Sequence, residues 1–332
     1  MGPFVVTLPS IVSSLWFPPG QRTVATGLSW LLLETGNALG FILGPLVVRD
    51  PPPPAANCTA NCSSPDPEVV ATIKVQVMQF MGLHVVLAGL LFLLVLVYYP
   101  SRPGDLPSFT AGEKREDFLA GMRSFLTNPS AVLVCVAFSL SQGVAEAYYP
   151  VLDLNFAPIG VPETTAGYIG FIASVVASLT CFAISFYVER IRGSYKRVLV
   201  LLLVTSFCFY LWQTLVVTAV LPYSDLQLYV STIAGSAVNF ACTPLMLELG
   251  TEVAYPVGEG VVSGVMTFFW TLVGIIYLAM FFFKNIGYVW MNWTMVAALV
   301  ASVPFVLGIR EKFNRSDVDN NNDATLKPEN QD

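Results

Sequence analysis

An all-α, polytopic membrane fold is what this 332-residue sequence predicts, on three observations. Apolar residues make up 55% of it and charged residues only 11%, against roughly 25% charged residues in an ordinary soluble domain. The apolar residues gather in runs long enough to cross a bilayer, and the charges fall between the runs. That placement says more than the net charge of −6. The same composition excludes a cytosolic enzyme, a disordered chain and a disulfide scaffold. It equally excludes a nucleic-acid binder, which needs a basic surface.

Metal and redox chemistry find little to work with. One histidine, His84, cannot build a multi-histidine site, and the six cysteines contain no CxxC pair. No metal and no cofactor is expected. Cys135, Cys181, Cys208 and Cys242 lie in apolar runs, where cysteine acts as a small hydrophobe. Cys58 and Cys62 share a polar loop and could pair if that loop is non-cytosolic.

Eight runs reach the roughly 20 residues a helix needs to cross a core of about 30 Å: 23–48, 77–99, 129–149, 165–188, 197–221, 226–250, 258–283 and 288–308. Residues 1–17 are apolar but short, broken by Pro3 and Pro9, and lack the basic start and cleavage site of a signal peptide. They read as the end of a helix entering from further upstream. With residue 22 in the cytosol, thirteen of the sixteen Lys and Arg fall on cytosolic segments, as the positive-inside rule asks. The sequons at Asn57 and Asn61 then face the opposite side, where glycosylation can occur. Asn314 would face the cytosol, and Asn292 would lie too close to the membrane.

This pattern divides the chain into a partial first half over 1–99, a central cytosolic loop over 100–128, a six-helix half over 129–309 and a disordered tail over 310–332. The non-cytosolic loop 49–76 is rich in Pro, Ser and Asn, and the tail is acidic and Asn-rich. Six spans after a long central loop is the layout of one half of a two-half transporter.

An intramembrane carboxylate costs at least about 2.5–3.5 kcal/mol to insert, which makes each one a functional candidate. Glu34 lies twelve residues beyond Arg22, about 18 Å up the helix and near the midplane. Gly36, Gly40 and Gly44 follow it as a doubled GxxxG, a pattern that favours close helix approach, and Asn37 stands one turn above. Glu34 and Asn37 are candidates to bind a substrate or a proton. The alternative is a neutral glutamic acid hydrogen-bonded between helices. Glu146 and Tyr148 close the span 129–149 and offer a carboxylate beside an aromatic face, a pairing suited to a cation. An interfacial aromatic belt would look the same.

The segment LELGTEVAYPVGEGVVSG (247–264) places Glu248, Glu252 and Glu259 at the cytosolic boundary, with Pro256 and Gly258 breaking the helix. A cytosolic gate is one reading, with an arginine such as Arg190 or Arg192 as partner in one access state. A helix–turn–helix with solvated acids is the other. Trp270 and Thr271 reach midplane depth on the following helix and complete the candidate binding set. His84, about seven residues inside the non-cytosolic surface, is a candidate pH sensor, with a plain structural hydrogen bond as the alternative.

Several stretches resemble known transporters. ERIRGSYKR (189–197) resembles the loop signature that major facilitator transporters repeat in each half. WFPPGQRTVAT, GNALGFILGPLVV and YPVGEG resemble solute carrier family 49, which includes the feline leukemia virus subgroup C receptor-related transporters. YYPSRPGDLPS, PVLDLNFAP, AGYIGF and GVMTF are similar to its "disrupted in renal carcinoma" branch. The resemblance implies a major facilitator fold of twelve helices, of which the chain would hold the end of helix 4 and helices 5 to 12, lacking roughly the first three. It also implies transport by alternating access. The receptor-related members carry choline and ethanolamine, with haem also proposed; the nearer branch is associated with lysosomal membranes and proton-linked movement of a pyridoxine-like vitamin. The plasma membrane is the other location the family allows. By this resemblance a cavity glutamine of the receptor-related members falls on Glu34, an aromatic on Tyr148, a glutamate on Glu259 and a second glutamine on Thr271. Two of those four residues differ in type here, so choline recognition does not carry over.

The expectation is therefore a secondary active transporter of a small amine- or vitamin-like solute, proton-coupled through a midplane carboxylate and monomeric, with lipids and solute as its partners. The competing expectation is a truncated, non-transporting scaffold or receptor. An intramembrane enzyme is disfavoured, since no G-x-S-G serine accompanies the lone histidine and no GxGD run occurs.

Overall fold

Proline and glycine punctuation sets the helix boundaries in the computed structural model, which describes residues 2–48, 67–100, 107–108, 117–190, 195–283, 286–311 and 313–318. Helix α1 (Gly2–Trp16) carries Pro9 inside it and ends before Pro18-Pro19-Gly20, which form the turn into α2 (Arg22–Val47). Helix α3 runs over Pro67–Tyr98. It starts about ten residues earlier than the apolar run at 77–99 suggests, because Pro67 and Glu68 are good first-turn residues and carry the helix through Lys74. A short helix α4 (Phe118–Thr127) precedes α5 (Pro129–Tyr148), which Asn128 caps by accepting from the Ser130 and Ala131 amides.

A one-turn α6 (Leu152–Phe156) follows, and Gly160 at φ 81° turns the chain into α7 (Glu163–Arg190). Then come α8 (Tyr195–Val217), α9 (Asp225–Phe240), α10 (Cys242–Ala254), α11 (Glu259–Ala279) and α12 (Val289–Gly308). Helices α9 and α10 are one membrane-length segment interrupted at Ala241, where Pro244 cannot donate to the Phe240 carbonyl.

Seven stretches of the described residues are long and apolar enough to cross a membrane: α3, α5 through Ile159, α7 to Val188, α8, α9 with α10, α11 through Phe282, and α12. Helix α2 has the length but carries Glu34 and Asn37 at its middle. No strand occurs among the described residues.

The core sits around α10, all thirteen of whose residues are buried. Helix α10 touches α2, α5, α7, α8 and α11; α2 packs along α7, and α5 along α11 and α12. The α5–α11 crossing is close because a Cβ on Gly143 would stand 2.7 Å from the Trp270 carbonyl oxygen. Helix α1 packs on α11, with Ile11 against Gly260. Helix α3, in contrast, buries none of its residues.

Candidate functional site

Glu34 lies at the middle of α2, buried, and accepts a hydrogen bond from the Asn37 amide at 2.8 Å. No lysine or arginine among the described residues pairs with it. Glu34 and Asn37 form one wall of a cavity of about 460 Å³. Glu146 of α5, Tyr149 and Pro150 just beyond it, Ser174 of α7, and Ser236 and Phe240 of α9 form the rest of its polar and aromatic lining with Phe41. The cavity thus extends from Glu34 away from the Arg22 end of α2. Two carboxylates, an amide, hydroxyls and aromatic faces can hold an organic cation or exchange protons with it.

The glycine stripe has a different role from the one its spacing suggests. A Cβ on Gly36 or Gly40 would meet nothing within 4 Å, and both glycines line the cavity. They widen the cavity instead of seating a neighbouring helix. Close approach occurs elsewhere on this pair of helices, where Gly27 faces Ser185 and Gly170 faces the Phe41 ring.

Of the two adjacent tyrosines, the second faces the cavity. Tyr148 is fully buried in a polar network on the other side of α5. Its hydroxyl donates to Asn292 Oδ1 at 2.9 Å and accepts from Asn155 Nδ2 at 2.6 Å and Gln213 Nε2 at 3.0 Å. Asn292, the sequon closest to the membrane, is consumed by the same network. Tyr149 lies one turn beyond Glu146, on its face of the helix, and its hydroxyl meets that of Tyr210. Trp270 is buried behind the cavity, edge-on to Phe138 at 5.6 Å and 6.3 Å from Trp30, which in turn packs on Phe240. Thr271 is exposed and outside the lining.

At the Arg22 end of the bundle, the three glutamates of the 247–264 segment converge on one cation. Arg315, in a helical turn over 314–318, lies 2.8 Å from Glu248, 3.4 Å from Glu252 and 3.6 Å from Glu259. Burial opposes the charge on Arg315, and the three carboxylates outweigh it, holding the guanidinium above its ordinary pKa. The second Glu248 oxygen accepts from Ser13 of α1 at 3.3 Å and Thr26 of α2 at 3.1 Å. The acids are buried and not solvated.

Arg190 is not at this cluster; it is exposed, with its guanidinium carbon 4.4 Å above the Phe186 ring. Arg192, Asn57, Asn61, Cys58 and Cys62 lie outside the described residues. His84 is exposed on α3, its Nδ1 2.8 Å from the Phe80 carbonyl oxygen and its ring against Phe80. Arg315 and Tyr149 are the residues the sequence reading passed over. A three-acid cluster at a basic boundary calls for a cation, yet Arg315 lies 56 residues beyond Glu259 and spacing cannot select it.

Residues 1–278 match the family model described as Major Facilitator Superfamily. The chain belongs to that superfamily. Its curated relatives include members of solute carrier family 49, in agreement with the resemblance of the sequence motifs. A solute carrier family 49 member 4 homolog of Xenopus tropicalis is 29% identical over 318 residues, covering 95% of this chain and 68% of that protein. A choline/ethanolamine transporter of Danio rerio is 25% identical over 295 residues, covering 82% of this chain and 54% of that protein. Among solved structures, the E. coli fucose:proton symporter superposes with a TM-score of 0.63 at 14% identity, covering 93% of this chain and 74% of that chain. That likeness establishes the fold. Fold and family together make this a multi-pass membrane transporter.

Proposed function

We propose that this major facilitator protein moves a small, positively charged or vitamin-like organic solute by alternating access, coupled to protons through Glu34. One observation carries the reading: Glu34 and Glu146 face the same 460 Å³ cavity, and among the described residues Glu34 has an amide but no cation as its partner. A carboxylate buried at midplane depth without a counter-charge binds either a proton or a cation. Phe41, Tyr149 and Phe240 give a cationic headgroup faces to stack on. The choline/ethanolamine transporter among the relatives and the pyridoxine association of the resembling branch bracket this solute class. Glu248, Glu252 and Glu259 close the cytosolic side while the cavity is open to the opposite side.

Uptake of labelled choline, ethanolamine and pyridoxine into proteoliposomes under an imposed pH gradient tests this. Gradient-dependent uptake of one solute, lost in Glu34→Gln, is the expected result. Absence of flux for all three with every gradient would replace transport with a scaffold or receptor role. Wild-type flux and pH dependence in Glu34→Gln would remove Glu34 from the mechanism.

A further inference from the structure

The base of the bundle joins segments from the two ends of the chain. Ser13 and Thr26 precede most of the spans, and Arg315 follows the last one, yet all three hydrogen-bond Glu248. Ser13 and Thr26 are neutral donors, so they can orient the Glu248 carboxylate but cannot balance its charge. The balancing charge comes from the turn over 314–318. The same turn covers Glu252, which accepts from the Ser316 amide at 3.1 Å and the Ser316 hydroxyl at 2.7 Å. Without Arg315, Glu248 and Glu252, one helical turn apart, would share one buried site, an arrangement that must ionise partially or admit water. The contact of Ile11 with Gly260, where a Cβ would stand 3.1 Å away, belongs to the same α1–α11 seam.

We infer that residues 313–318 are a latch on the cytosolic side. With Arg315 docked, its guanidinium offsets part of the carboxylate charge of α10 and α11, and the seam against α1 and α2 is closed. With Arg315 withdrawn, Glu248 and Glu252 draw water and the seam opens. The latch gives alternating access, on which this inference rests, a control element outside the membrane helices. Its state can be read without any flux.

The full chain, with its six cysteines replaced and Ile11→Cys as reporter, is reconstituted in nanodiscs and treated with a charged, membrane-impermeant maleimide. The reporter labels slowly in the parent and about tenfold faster in Arg315→Ala, whereas Arg315→Lys, which keeps a cation, stays near the parent rate. Ser316→Asp, which sets a fourth carboxylate beside Glu252, also labels about tenfold faster. A parent-like rate in Arg315→Ala overturns the latch, and so does fast labelling of the parent itself. Should Arg315→Ala fail to give a monodisperse protein, Ser316→Asp decides alone, its parent-like labelling overturning the latch. The expected labelling pattern in a protein without flux would leave the latch standing and discard the transport reading.

Discussion

The cavity and the base of the bundle both bury glutamates, and they treat them in opposite ways. Glu34 is held by one neutral amide and looks into open volume. Glu248, Glu252 and Glu259 are gathered around Arg315, and hydroxyls and an amide donate further to Glu248 and Glu252. A paired, fully bonded carboxylate is part of the architecture, because removing its partner leaves a buried charge. An unpaired one is poorly used for stability and is available to a ligand or proton. Substitution should therefore separate the two regions, costing stability at one and activity at the other.

The largest stability effect is expected for Arg315→Met, which takes the cation from Glu248 and Glu252. Thermal unfolding of the detergent-solubilised protein should show a loss of about 3–5 kcal/mol. A loss near zero would mean that the acids are as available as Glu34 and would erase the contrast. Gly143→Ala comes next, since its methyl would lie 2.7 Å from the Trp270 carbonyl oxygen across the α5–α11 crossing. About 1–3 kcal/mol should be lost in the same measurement. Gly36→Ala and Gly40→Ala meet open space and should unfold like the parent, which sets cavity glycines apart from packing glycines.

Tyr149→Phe removes the hydroxyl contact with Tyr210 and keeps the ring in the cavity wall, so about 1 kcal/mol is expected. Glu34→Gln should change stability by less than about 0.5 kcal/mol, because the amide is isosteric and still accepts from Asn37. Its flux assay should nonetheless show the greatest change of any variant here. Loss of stability comparable to Arg315→Met would place Glu34 among the structural acids.

Legibility in the sequence followed the range of the interactions. Helix positions were readable because bilayer thickness demands a local run of apolar residues, and breaks at Pro18-Pro19-Gly20, Gly160 and Pro256 are local as well. The membrane class and the candidate status of Glu34 came from composition and burial cost alone. Which of two neighbouring tyrosines faces the cavity turned on where α5 gives way to the turn at Tyr149, a matter of one residue. The glycine stripe at 36 and 40 was legible as small residues, but only the neighbours decide whether small residues make a seam or a cavity.

The sequence by itself therefore determined that this is a polytopic helical membrane protein and where its helices and costly acids lie. Hydrophobic burial and backbone hydrogen bonding act along the chain and leave their periodic mark there. Only the tertiary structure decided that Glu34 shares a cavity with Glu146, that Tyr148 turns away from it, and that Arg315 gathers Glu248, Glu252 and Glu259. Those pairings join residues tens to hundreds of positions apart, and a charge in the sequence carries no record of which distant partner the packing brings to it.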